Sequence, residues 1–290
     1  MNTSGVFTLH KYTIKHKSYE HPFYIIPFGD VHRNASGCDV ERWKEFLDWA
    51  KIKENCYFLG MGDYDDFLSA SERRIINNPD LHETSREQIE EWQERLTDNF
   101  AHEIRFMKGR LIGLLEGNHF SLFQDGTTTT QRLCQKMKCQ YLGVNSFIRL
   151  IVEHDKNHRQ KLDMWVHHGL GASRLGGSSL NTVEQMIMNA RADIYLMGHN
   201  HRKSIGMDTM LGLTDSQKEL KLEQRKIIYA RTGSFLRAYI AGKSSYIVDK
   251  GMRPTDLGTI KIEITPRIKK HHERGRIIEE KRYLDMHVSL

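Results

Sequence analysis

Phe23-Tyr24-Ile25-Ile26-Pro27-Phe28-Gly29-Asp30-Val31-His32 is an apolar run that ends on a glycine, a carboxylate and an imidazole. Short, β-branched or aromatic and bounded by turn residues, the run reads as a buried strand. Side chains two residues apart in extended chain share a side, so Asp30 and His32 can reach one ion where the strand stops. The same grammar recurs along the chain. Phe147–Val152, Leu162–Val166, Ile194–Met197, Ile227–Ala230, Cys56–Leu59 and Leu111–Leu115 also read as buried strands, most of them followed at once by Gly, Asp, His or Asn. Between them lie helical patterns, with Trp43, Phe46, Leu47 and Ala50 on one face and Ile89, Trp92, Leu96 and Phe100 on another. Strand and helix in alternation predict a layered α/β fold, in which ligand sites gather at the carboxyl ends of strands.

Outward from these strands, residues 65–108 read as a helical insertion broken at Asn77-Asn78-Pro79-Asp80, with Asp65 as the cap of the helix that follows. Asp208–Lys226 reads as a polar surface excursion, and Thr259–Ile264 as an edge strand. Arg267–Arg282, rich in Lys, Arg, His and Glu, reads as a solvated helix or tail rather than a nucleic-acid arm. The expected organisation is one domain over residues 1–266 and a basic C-terminal segment over 267–290. No run approaches the roughly eighteen apolar residues of a membrane span, and Met1–Tyr12 has no signal-peptide core, so a soluble cytoplasmic protein is expected, with no membrane partner. The four cysteines show no C-x-x-C spacing, which argues against a disulfide framework or zinc ribbon. A formal charge of +6 makes nucleic acid a candidate partner.

Four further motifs close strands. Gly60-Met61-Gly62-Asp63-Tyr64-Asp65-Asp66 brings a carboxylate, Asp63, to a tight bend where it can bridge two metals. Glu116-Gly117-Asn118-His119 supplies an amide oxygen and an imidazole able to protonate a leaving oxygen. His167-His168-Gly169 and Gly198-His199-Asn200-His201 each end a strand with two histidines. Each motif alone is ordinary turn chemistry. Five in one order, each after a strand, are not. His10, His16, His21, His154, His158, His271 and His272 lack such context and read as surface residues.

This series resembles the calcineurin-like metallophosphoesterase superfamily over about Phe23–Phe235. The resemblance implies an α/β fold of a particular kind, a four-layer α/β/β/α sandwich with a dinuclear site of divalent metal ions, Mn first and Zn or Fe as alternatives, between two sheets. It implies that Asp30, His32 and His201 hold one metal, that Asn118, His167 and His199 hold the other, and that Asp63 bridges them. His119 then stands near the leaving group. Three departures matter. Phe120 follows His119 where an acidic residue is usual, so any carboxylate that orients His119 comes from elsewhere. Phe67-Leu68 replaces the Arg-Gly of protein Ser/Thr phosphatases. The fourth motif offers two histidines, of which His167 comes directly off the strand and His168 is the alternative.

The implied activity is metal-dependent phosphoester hydrolysis, first of phosphodiesters and with nucleic acid as a candidate substrate. A monoesterase acting on nucleotide, sugar or protein phosphate is the alternative, and an inactive metal-binding interaction module a third reading. Arg231-Thr232-Gly233-Ser234-Phe235 either lines the site or forms a turn, and Arg174 is a candidate phosphate clamp.

Overall fold

The structure, a computed structural model, describes residues 8–69, 72–73, 82–170, 176–213, 220–242, 248, 251, 253–254, 256–273 and 276–290. The break at Asn77–Asp80 and the clamp candidate Arg174 lie outside them. In chain order the elements are β1 (Thr8–Lys15), β2 (Phe23–Phe28), α1 (Val40–Ile52), β3 (Cys56–Gly60), α2 (Glu83–Glu103), β4 (Leu111–Leu114), α3 (Thr129–Met137), β5 (Asn145–Glu153) and β6 (Arg159–His167). Then follow α4 (Gly176–Asn189), β7 (Ile194–Met197), β8 (Lys203–Leu213), β9 (Leu222–Ser234), β10 (Gly258–Thr259), β11 (Lys261–Glu273) and β12 (Arg276–Ser289).

The strands form two sheets. One has the order β12-β11-β2-β3-β4, and the other β1-β5-β6-β7-β9-β10 with β8 on β9. β2, β3 and β4 pair in parallel, as do β6 with β7 and β7 with β9. Parallel strands are covered on both faces, which is why these segments are apolar without alternation. Ile25, Leu59 and Ile112 of one sheet and Leu150, Met164, Leu196 and Ile228 of the other share a single core between the sheets. The opposite face of β2 and β3, with Ile26, Phe28 and Phe58, packs on Trp43, Leu47, Phe100 and Leu133 of α1, α2 and α3. Trp165, Tyr195 and Tyr229 pack on Val183 and Met186 of α4.

Local signals set the helix ends. Asp39 accepts the Arg42 amide to cap α1, and Thr128 forms a reciprocal capping box with Gln131 ahead of α3. α2 begins after His82, whose side chain accepts the Thr84 amide, so the expectation that Asp65 caps a helix is corrected. Asp65 is instead buried, taking a 2.8 Å hydrogen bond from Arg33 Nε.

Three segment readings also change. The stretch Asp208–Lys226 belongs to a long β8–β9 hairpin wherever it is described. β11 lies between β2 and β12 and is no edge; the edge is β12. Wherever it is described, Arg267–Arg282 is strand, because β11 and β12 pair antiparallel from Lys261 opposite Ser289 to Glu273 opposite Arg276, with a register shift between His271 and His272. Two histidines expected at the surface, His16 and His154, are buried, with His154 Nδ1 donating to the His16 carbonyl at 2.6 Å. The four cysteines are free. Among the described residues no helix is long and apolar enough to cross a membrane.

Candidate metal centre

β2, β3, β4, β6 and β7 all point their carboxyl ends at one place, the seam between the sheets. There Asp30, His32, Asp63, Asn118, His119, His168, His199 and His201 converge. Asp30, His32 and His201 present donor atoms within 4.8 Å of one another, and so do Asp63, His168 and His199. Asp63 ties the two groups together, its Oδ2 standing 3.3 Å from His168 Nε2 and 3.7 Å from His32 Nε2. Asn118 Oδ1 lies 3.0 Å from His168 Nε2. His201 Nε2 lies 3.6 Å from Asp30 Oδ1.

His167 is in neither group, so the preference for it as a ligand is corrected in favour of His168. β6 pairs His167 with Met197. Successive side chains on a strand face opposite ways, and Met164 and Val166 face the core between the sheets, so the next residue on that side is His168.

The backbone supports the cluster at a cost. Among the described non-glycine residues, Asp30, His32, Asp63, His199 and His201 adopt φ values of 47, 47, 49, 71 and 59°. Only Asn55 and Lys138 share that left-handed region. Such conformations each cost about 1–3 kcal/mol in most side chains and collect at functional sites. Gly117 has no side chain for a related reason: a Cβ there would meet Asp63 Oδ1 at 1.9 Å.

Hydrogen bonds orient Asp30, Asp63, His32 and His168. Asp30 Oδ2 accepts the His199 amide at 2.8 Å, and Asp63 Oδ1 accepts the His119 amide at 2.9 Å. The Asp30 carbonyl accepts Ser234 Oγ at 2.8 Å and the Phe235 amide at 3.0 Å, which places the Arg231–Phe235 stretch directly behind the ligands. His168 Nδ1 donates to the Met61 carbonyl at 2.7 Å. His32 Nδ1 donates to Asp66 Oδ1 at 3.1 Å. Both imidazoles thereby turn Nε2 to the interior, the nitrogen through which a neutral histidine would bind a metal.

The electrostatics of the set follow from its burial. Asp30 Oδ1 and His32 Nε2 are buried without a hydrogen-bond partner among the described residues. Burial pushes the Asp30 carboxyl up to about 6. Burial opposes charge on His168, but Asp63 beside it carries the imidazole up to about 9. Burial keeps His199 and His201 neutral, pushed down to about 4 and about 3. Converging acceptors with unpaired lone pairs need positive charge at their centre. Buried His/Asp groups of this kind, with oxygen and nitrogen donors and no thiolate, fit divalent cations.

Asp66 is the functional residue the sequence reading passed over. Its Oδ1 also takes His119 Nδ1 at 2.7 Å, making it the carboxylate that orients His119. Asn34 pins Asp66 in turn, donating to its carbonyl at 2.9 Å and accepting its amide at 2.7 Å. Arg73 donates to the carbonyls of Asn118 at 2.8 Å and Phe120 at 3.0 Å and lies over the Phe120 ring, so it clamps both sides of His119. No family model, curated protein or solved structure matches this chain.

Proposed function

We propose that this chain is a dinuclear phosphoesterase of the calcineurin-like type, a four-layer α/β/β/α sandwich that hydrolyses phosphodiesters. The observation that carries the reading is Asp63, whose buried carboxylate lies within reach of both donor groups at once. Asp30, His32 and His201 would hold one cation, Asn118, His168 and His199 the other, with Asp63 between them. Mn²⁺ is the first candidate, and Zn²⁺ and iron share the ligand preference. When bound, such a pair supplies the charge that activates water and neutralises phosphoryl oxygens during in-line attack.

The chain's own residues do the rest. His119 commits Nδ1 to Asp66, so its Nε2 is the nitrogen that hands a proton to the departing alkoxide. Asn34, Asp66 and Arg73 hold that ring in place. Phe67 and Leu68, standing where protein phosphatases carry Arg-Gly, favour a diester over a phosphoprotein.

The test is turnover of bis(p-nitrophenyl) phosphate and p-nitrophenyl phosphate side by side, after chelation and return of Mn²⁺, with Asp63→Asn as control. Faster diester cleavage, lost in the variant, is expected. Faster monoester cleavage would replace the diester reading with a monoesterase. Bound metal with no turnover of either would make the chain a metal-binding module.

A further inference from the structure

We propose that the β11–β12 hairpin is a binding ribbon for a nucleic-acid backbone, set at the end of the molecule opposite the metal centre. β2 pairs with β11 only at Ile262–Ile264, so beyond Thr265 the hairpin runs on as a two-stranded ribbon. Residues 267–282 carry seven of the chain's lysines and arginines against three glutamates.

The two faces of the ribbon differ. Ile262, Ile264, Met286 and Val288 face the core, and further out on that side Lys270 and Arg282 both pair with Glu280. The other face shows exposed Arg267 opposite Tyr283 and exposed Lys269 opposite Lys281. Directly opposed side chains on an antiparallel pair stand about 4.5–5.5 Å apart at Cβ, and like charges there are destabilising. Neither lysine forms an ion pair with an acidic group among the side chains described, which leave out those of residues 271–279. A polyanion removes the repulsion.

The spacing suits one. Arg267 and Lys269 are two residues apart, about 6.7 Å along a strand, or two phosphate steps at about 3.4 Å each. Tyr283, 42% exposed, offers a ring for base stacking beside them. No large apolar side chain is exposed on this face between Arg267 and Lys269 or between Lys281 and Asp285 except that tyrosine, which favours nucleic acid over a membrane surface.

β11 runs antiparallel to β2, whose carboxyl end leads to Asp30, so Lys269 lies about 40 Å from the centre along the strand path. A stacked single strand of about a dozen nucleotides spans that distance. The ribbon therefore tethers a polymer while the centre cuts it. This role rests on the phosphodiesterase reading, whereas the binding itself can be measured without metal.

The experiment is fluorescence anisotropy of a labelled DNA strand of about 20 nucleotides, with the full chain in chelator across a salt series. Lys269→Glu/Lys281→Glu is expected to weaken binding about tenfold or more and to flatten the salt slope by about 1.4, two contacts at about 0.7 each. Tyr283→Ala is expected to cost about fivefold or more. Lys281→Glu alone places opposite charges across the ribbon, so it should melt no lower than wild type and still bind more weakly. All three variants keep wild-type turnover of the chromogenic diester. Absent binding, an unchanged slope in the double variant, or capture only by phosphatidylserine–phosphatidylcholine vesicles would overturn the ribbon. Binding without chromogenic turnover would instead sink the phosphoesterase reading and leave the ribbon standing.

Discussion

His167 and His168 are adjacent in sequence and do different things, because a strand sends neighbours to opposite faces. Coming straight off the strand made His167 the natural ligand to pick. The decisive signal was the alternation Leu162, Met164, Val166, whose next member is His168. On the proposed dinuclear reading, His168→Ala should remove one equivalent of bound Mn²⁺ by titration calorimetry while His167→Ala leaves the stoichiometry intact; loss in His167→Ala alone would return the assignment to His167. Asp66 was legible too, three residues after Asp63 in the same motif, yet that motif's role was assigned to Asp63 alone. Although partial burial pushes its carboxyl up, hydrogen bonds from His119 and His32 hold it well below the usual range, so it stays a carboxylate in acid. Asp66→Asn removes the charge that orients His119, and kcat should fall by roughly 10²–10⁴ with KM little changed. A change confined to KM would place Asp66 outside the proton transfer.

Elements were legible where burial is complete and opaque where it is not. β2, β3, β4 and β7 are apolar throughout because both faces are covered, and their ends were read almost to the residue. In β8 every residue from Met207 to Leu213 is exposed, so no burial prints alternation on the sequence, and only the backbone ladder to β9 makes it a strand. β11 and β12 were misread for the related reason that a charged ribbon and a charged helix have the same composition. Caps act more simply. Burial pushes the Asp39 carboxyl up, but the Arg237 side chain and the Arg42 amide draw it further down, below the ordinary value of 3.8. A depressed carboxyl stabilises the folded state above its unfolded pKa, and the contribution fades as pH falls through the folded pKa. Asp39→Ala should cost about 1 kcal/mol near pH 7 by urea denaturation. Below pH 3.8 the gap to wild type should narrow, and a gap that widened in acid would contradict the direction of the shift.

At the scale of the molecule, the centre is where the two sheets are joined. Asp30, Asp63 and Asn118 follow strands of one sheet, and His168, His199 and His201 follow strands of the other. Hydrogen bonds cross the seam there, among them the His199 amide to Asp30 and His168 to the Met61 carbonyl. The surrounding acceptors repel one another across it. A cation held in this position would have no equivalent site once the strands separate, so its binding and folding would be linked. At free Mn²⁺ about a hundredfold above its dissociation constant, one site would add about 2.7 kcal/mol, which for a chain of this size raises Tm by roughly 4–5 °C. Chelation should reverse the rise, and Asp63→Asn should blunt it more than loss of any terminal ligand because it serves both groups. Were Mn²⁺ to leave Tm unmoved while turnover stayed metal-dependent, the cation would be arriving with substrate, and the seam would be held by the protein alone.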